Sequence, residues 1–176
     1  MIFTETCIKN AFLIDIARLE DERGFFARSW CEREFANNHI ETKWVQANIS
    51  YNKKKGTLRG MHYQALPHEE DKLVRCTTGA IYDVIVDLRQ GSDTFKKWIA
   101  VELSAENRRM IYVPKGFAHG FITLQDNSEV FYLMSEFYTP GYSRGFRWND
   151  PAFGLKWPGK VTVISEKDVS YPDFTF

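Results

Sequence analysis

The stretch IYDVIVDL, residues 81–88, alternates in a way only an extended chain uses well. A period of two puts Tyr82, Val84, Val86 and Leu88 on one face and leaves Asp83 and Asp87 on the other with Ile81 and Ile85. The same texture continues downstream in KWIAVELS (97–104), RMIYVPKG (109–116), HGFITL (119–124) and EVFYLMSEFY (129–138). Polar turn signals separate these runs: QGSD (90–93), SAEN (104–107), PKG (114–116) and QDNS (125–128). Closely spaced strands with polar turns predict an all-β sandwich or barrel. One short N-terminal helix is expected, because Ser29-Trp30-Cys31-Glu32 has capping-box spacing and the segment can run to Asn37 or Asn38. The C-terminal segment NDPAFGLKWPGK is loop-rich with two prolines, and VTVISEKD after it reads as a short last strand. No linker, repeat or low-complexity segment breaks the chain, so one domain is expected over 1–176.

The 176 residues are 44% hydrophobic and 15% aromatic, enough to bury a real core. Lys plus Arg equals Asp plus Glu at 23 each, which leaves no basic field for nucleic acid. Cys7, Cys31 and Cys76 are widely spaced with no CxxC, the pattern of free thiols in a reducing cytoplasm. The N-terminus lacks a basic start followed by an apolar run, so no signal peptide is read there. No apolar stretch approaches the roughly 20 residues that span a bilayer, and no membrane partner is expected.

Chemistry narrows to the four histidines. His39 lies in polar NNHIET and His68 in LPHEED, both surface settings. His62, in GTLRGMHYQ (56–64), and His119, in PKGFAH, each precede aromatic strand residues. From the residues alone, His62 is a core histidine, a metal ligand or a base. A cupin metal site would take HxH from one strand and a later histidine from PxGxxH. Pro114 to His119 matches the second element, but Gln64 replaces the second imidazole of the first with a neutral amide, a poor ligand for transition metals. Glu69 and Glu70 are the nearby anions that would have to compensate.

The ordered run of GTLRGMHYQ, KLVRCTTGAIYDVIVDLR, GSDTFKKW, LSAENRRMIYVPKGFAHGF, EVFYLMSEFYTP, RWNDPAFGLKWP and ISEKD, starting from DERGFF, resembles the dTDP-4-dehydrorhamnose 3,5-epimerase family over nearly the whole chain. The resemblance implies a cupin-type jelly roll (a double-stranded β-helix) and a homodimer in which an N-terminal strand joins the partner's sheet. It also implies an epimerase without cofactor or metal, acting on a nucleotide-diphosphate 4-keto-6-deoxysugar. A 4-keto group acidifies C3–H and C5–H, so inversion needs a base, an acid on the opposite face and a group at the enolate oxygen. The resemblance makes His62 the base, Asp168 its carboxylate partner, Tyr132 the acid and Lys72 the residue at the C4 oxygen, with His119 close by. It gives Arg23 and Arg59 to the diphosphate and sugar, where a guanidinium suits phosphate oxygens. Gln46 and Asn48 become polar nucleotide contacts, Tyr138 the aromatic that stacks on the base, and Lys167 a further substrate contact.

Three positions depart from the family pattern. Arg28 and Ser143 stand where glutamate is usual, and Leu133 follows the tyrosine where lysine is common. Glutamate can accept the N–H that thymine carries at N3, whereas arginine only donates. Either the enzyme accepts another base, a CDP-4-keto-6-deoxysugar first among them, or Arg28 turns outward. Inversion at C3 alone, at C5 alone or at both stays open at this level. So do two other classes, a metal-dependent cupin and a non-catalytic carbohydrate-binding β-sandwich.

Overall fold

In a computed structural model, the described residues are 1–40 and 43–175. The chain begins with strands β1 (Ile2–Glu5), β2 (Phe12–Asp15), β3 (Leu19–Asp21) and β4 (Gly24–Phe26), followed by helix α1 (Glu32–Asn37). Eight strands come next: β5 (Gln46–Asn52), β6 (Leu58–Gln64), β7 (Lys72–Thr78), β8 (Ala80–Asp87), β9 (Trp98–Ser104), β10 (Met110–Val113), β11 (Phe117–Thr123) and β12 (Ser128–Met134). A 3₁₀ turn (Pro140–Tyr142), β13 (Ser143–Gly145) and helix α2 (Glu166–Ser170) follow. One sheet has the order β1-β2-β10-β7-β12-β5 and the other β13-β6-β11-β8-β9, while β3 and β4 form a separate hairpin. Neighbouring strands are antiparallel throughout, and the architecture is the cupin-like jelly roll expected.

The two faces of β8 explain the layering. Ile81 and Ile85 point between the sheets, where they meet Val74, Cys76, Ile111 and Val130 of the opposite sheet. Val84 and Val86 point outward, yet they are equally buried, because Phe146, Phe153 and Trp157 of the loop-rich C-terminal segment cover them. The outer face of the six-stranded sheet is closed by Phe35 of α1 against Ile14, Leu73 and Met110. Each sheet is therefore apolar on both sides, which is why its central strands read as nearly continuous hydrophobic runs.

Two local expectations are corrected. α1 starts with Cys31 as N-cap, which makes no side-chain cap, so the box anticipated at Ser29 does not form. The helix is held instead by the fully buried Phe35 and by the N-terminal amine, 2.6 Å from Glu34; packing outweighs a cap in so short a helix. The last strand reduces to one parallel bridge between Val163 and Thr57, and the chain then turns into α2. Ser165 caps that helix by accepting the Asp168 N–H at 3.1 Å, with Glu166 and Asp168 in its first turn, and these polar preferences compete against an extended backbone.

Candidate active site

A cleft of about 520 Å³ continues the inter-sheet core into polar residues. Along β7, Val74 and Cys76 belong to the core, and Lys72 is the next residue on that face. Along β12, Tyr132 follows core Val130 in the same way, and Met134 extends the row. Across the gap, His119 sits between core Phe117 and Phe121 on the inward face of β11. Strand alternation thus converts three apolar rows into a reactive surface.

His62 faces His119 directly in the β6–β11 register, whereas Phe121 faces Arg59. Two residues of β11 therefore oppose three of β6, which is a bulge. Simple alternation would send Arg59 and His62, three positions apart, to opposite faces; the bulge returns both to the cleft. Gly60 makes it possible. Its φ is +127°, and a Cβ there would lie 2.6 Å from the Cα of Gly120.

The bulge also binds the carboxylate that holds His62. Asp168 Oδ1 lies 2.6 Å from His62 Nε2, and Oδ2 accepts the Gly60 N–H at 3.2 Å. Burial pushes the Asp168 carboxyl up, but the His62 ring, the Gly60 N–H and Ser165 together hold it below the usual carboxylate range. An ionised carboxylate only accepts, so it fixes the hydrogen on Nε2 and leaves a lone pair on Nδ1. Nδ1 makes no hydrogen bond among the described residues. On the facing wall, burial raises the Tyr132 phenol above its ordinary value, against the opposing charge of Arg59 and with a smaller push from Glu70. It stays protonated at neutral pH. Lys72 Nζ is 2.8 Å from buried Glu70, and His119 Nε2 is 2.8 Å from buried Asp83.

Arg59 Nε donates to Asn52 Oδ1 at 2.7 Å and Nη2 to the Tyr51 carbonyl at 3.4 Å, and the side chain lines the cleft. Gln46 and Asn48 are joined side chain to side chain at 3.0 Å, and Gln46 Oε1 accepts the backbone N–H of Tyr138 at 3.1 Å. Tyr138, Ser143 and Lys167 complete the lining. Eleven of the thirteen residues singled out in the sequence therefore meet here, ten in the lining and Asp168 behind His62. Arg23 and Arg28 do not line the cleft of their own chain. Arg23 projects from the β3–β4 turn with its side chain 85% exposed and pairs with Asp21 at 2.6 Å. Arg28 turns to Glu34 at 2.7 Å, beside a separate cavity of about 180 Å³ lined by Met1, Ala17, Leu19 and Phe26.

Among the described residues, no group of three His, Cys, Asp or Glu side chains converges to hold a metal. His62 and His119 each direct Nε2 to a carboxylate, and Glu70 is engaged by Lys72. Sequence reasoning missed the lining residues Ser50, Tyr51, Phe121 and Met134, and passed over Asp83, although an acid on an otherwise apolar strand face was the available signal.

Comparison with known proteins gives a consistent result. The family model described as dTDP-4-dehydrorhamnose 3,5-epimerase matches residues 5–175. The dTDP-4-dehydrorhamnose 3,5-epimerase of Sinorhizobium fredii is 43% identical over 173 residues, covering 98% of this chain and 89% of that protein. The crystal structure of the Bacillus anthracis dTDP-4-dehydrorhamnose 3,5-epimerase, with TDP and pyrophosphate bound, superposes with a TM-score of 0.95 at 40% identity, over 98% of this chain and 99% of that one. That of the Legionella pneumophila dTDP-6-deoxy-D-glucose-3,5-epimerase, in complex with dTDP-4-keto-L-rhamnose, gives 0.91 at 36% identity, over 98% and 92%.

Proposed function

The chain belongs to the dTDP-4-dehydrorhamnose 3,5-epimerase family, and from that premise we propose that it is an isomerase inverting C3 and C5 of a dTDP-4-keto-6-deoxyhexose. One observation carries the mechanism: His62 on one sheet and Tyr132 on the facing sheet line a single cleft. A sugar ring between them has a proton acceptor on one face and a proton donor on the other.

His62 Nδ1 removes the proton next to the ketone, the C–H electron pair becomes the C=C bond, and the carbonyl pair moves to the C4 oxygen. Lys72 and His119 stabilise that oxygen by charge and hydrogen bonding. Tyr132 protonates the carbon from the far side, and solvent restores both groups. Asp168 is a positioning residue that fixes the His62 tautomer. Arg59 and Lys167 meet the diphosphate and sugar, Gln46, Asn48 and Ser143 the nucleotide, and Tyr138 stacks on the base. Arg28 pairs with Glu34 of its own chain, and thymine is taken as the base because the similar proteins are named for dTDP-linked sugars.

The protein works as a homodimer in this reading, with the exposed β3–β4 hairpin crossing to the neighbour and Arg23 serving the neighbour's cleft. Support comes from Leu19 and Phe26, 67% and 71% exposed on that hairpin. The unpaired Cys7, Cys31 and Cys76 suit a reducing cytoplasm.

Turnover of dTDP-, CDP-, GDP- and UDP-linked 4-keto-6-deoxysugars in heavy water, followed by NMR, tests the assignment. The expected result is dTDP preference with deuterium entering at C3 and C5. His62→Ala should abolish exchange, and Tyr132→Phe should lower inversion by about 10²–10⁴. Absence of exchange with every sugar in the panel would sink the reading.

A further inference from the structure

Gln64, the amide that interrupts an HxH pair, does not line the cleft, yet both polar atoms of its side chain are in use. It is 5% exposed at the end of β6, two residues beyond His62. Its Nε2 donates to the carbonyls of His68 at 2.9 Å and Phe137 at 3.2 Å, and its Oε1 accepts the Thr139 N–H at 2.6 Å. Two donors and an acceptor at one planar end are what an amide has and an imidazole lacks. Phe137 and Thr139 flank Tyr138, in a stretch that is neither strand nor helix. The N–H of Tyr138 itself is taken by Gln46 Oε1 at 3.1 Å.

In an extended chain the carbonyl of one residue and the N–H two residues on share an edge, and the residue between them turns its own N–H to the opposite edge. Residues 137–139 show that pattern of contacts, with two glutamine side chains standing in for neighbouring strands. Gln64 comes from the five-stranded sheet and Gln46 from the six-stranded one, so Tyr138 is pinned to both walls although it is 50% exposed. Thr139 Oγ1 adds a local bond to the Phe137 carbonyl at 3.2 Å. A ring fixed before a ligand arrives loses less freedom on stacking than one carried by a loose loop. We propose that Gln64 is a positioning residue that presents the Tyr138 ring to the nucleobase, acting from behind the cleft without touching the nucleotide. This deepens the epimerase reading above and rests on it, since Tyr138 stacks on the base there. One strand then serves two ends of the substrate, through His62 at the sugar and through Gln64 at the base.

Gln64→Met keeps the length of the side chain and removes all three of its hydrogen bonds. By calorimetry its dTDP affinity should fall about tenfold, the scale of one aromatic–base stack. KM for the sugar nucleotide should rise while kcat holds, because ground and transition states lose the same contact. Tyr138→Ala should weaken dTDP at least as much, and adding Gln64→Met to it should cost nothing further; additive losses would overturn the proposal. Hydrogen exchange on the wild type needs no variant: the Tyr138 and Thr139 amides should be protected as strand amides are, and exchange at the rate of an open loop would overturn the idea. If wild type binds dTDP and turns over while Gln64→Met binds dTDP as tightly, only this inference fails. If wild type neither binds dTDP nor turns over, the epimerase reading fails and this one with it.

Discussion

Single carboxylates do most of the positioning, and their buried settings give measurable signatures. Asp87 is fully buried at the end of β8, where it accepts from Arg89 Nε and Nη2 at 2.9 and 2.8 Å, Ser92 Oγ at 2.7 Å and Thr94 Oγ1 at 2.6 Å. Burial alone would raise its pKa, but these donors pull it from 3.8 down to about 2. Since the folded value is the lower one, Asp87 stabilises the protein fully above 3.8, and that contribution drains away as pH falls toward about 2. Urea unfolding across that window should show the acid limb flattened in Asp87→Asn, with the variant less stable at neutral pH; parallel curves would contradict this. At this scale the sequence spoke unevenly. His62, Lys72 and Tyr132 were identified through their motif, but Asp83 carried no motif and became notable only when its strand was seen to be buried on both faces. Arg23 matched a family position and Arg28 departed from one, and position does not say toward which molecule a side chain points.

Elements were easier to read than their interruptions. Alternation in 81–88 gave β8 to within a residue at each end, and its two faces were assigned correctly. The bulge in β6 was invisible, because it arises from register against β11, and register is a property of two strands. Helix α2 was missed for a related reason: the Ser165 cap outweighed the strand preference of VTVI, and only the return of Asp168 to His62 and Gly60 makes that turn worthwhile. Gly60 is where this reasoning is most exposed to test. In Gly60→Ala the new methyl would have to displace the backbone of Gly120, so Arg59 and His62 should no longer share the cleft. The expected outcome is a stability loss of at least about 1–3 kcal/mol with activity reduced beyond what the unfolded fraction explains. Thermal melts beside turnover per folded molecule check both halves.

Viewed whole, the molecule leaves one end of its surface unfinished. Leu19 and Phe26 are exposed on the β3–β4 hairpin, and Arg18 and Arg108 each set a guanidinium carbon 4.8 Å from the Phe25 ring centre, bracing its root. If that hairpin completes a neighbour's site, Phe26→Asp should give a monomer by sedimentation, with dTDP binding weakened about tenfold or more through loss of the partner's Arg23. A monomer retaining full affinity would count against strand exchange. An all-β sandwich or barrel was legible from the spacing of strands and turns and the jelly roll only from the family resemblance, whereas the exposed hairpin could not be distinguished from an ordinary edge without its surroundings. The facing sheets carry a last implication. In the proposed mechanism proton taker and proton giver ride on separate walls, so their separation is gauged by the filling of Val74, Ile85, Phe121 and Val130. Shaving or thickening that filling would retune which carbon of the ring comes within range, and the stereochemical repertoire of such a scaffold can therefore drift without alteration of any reacting group.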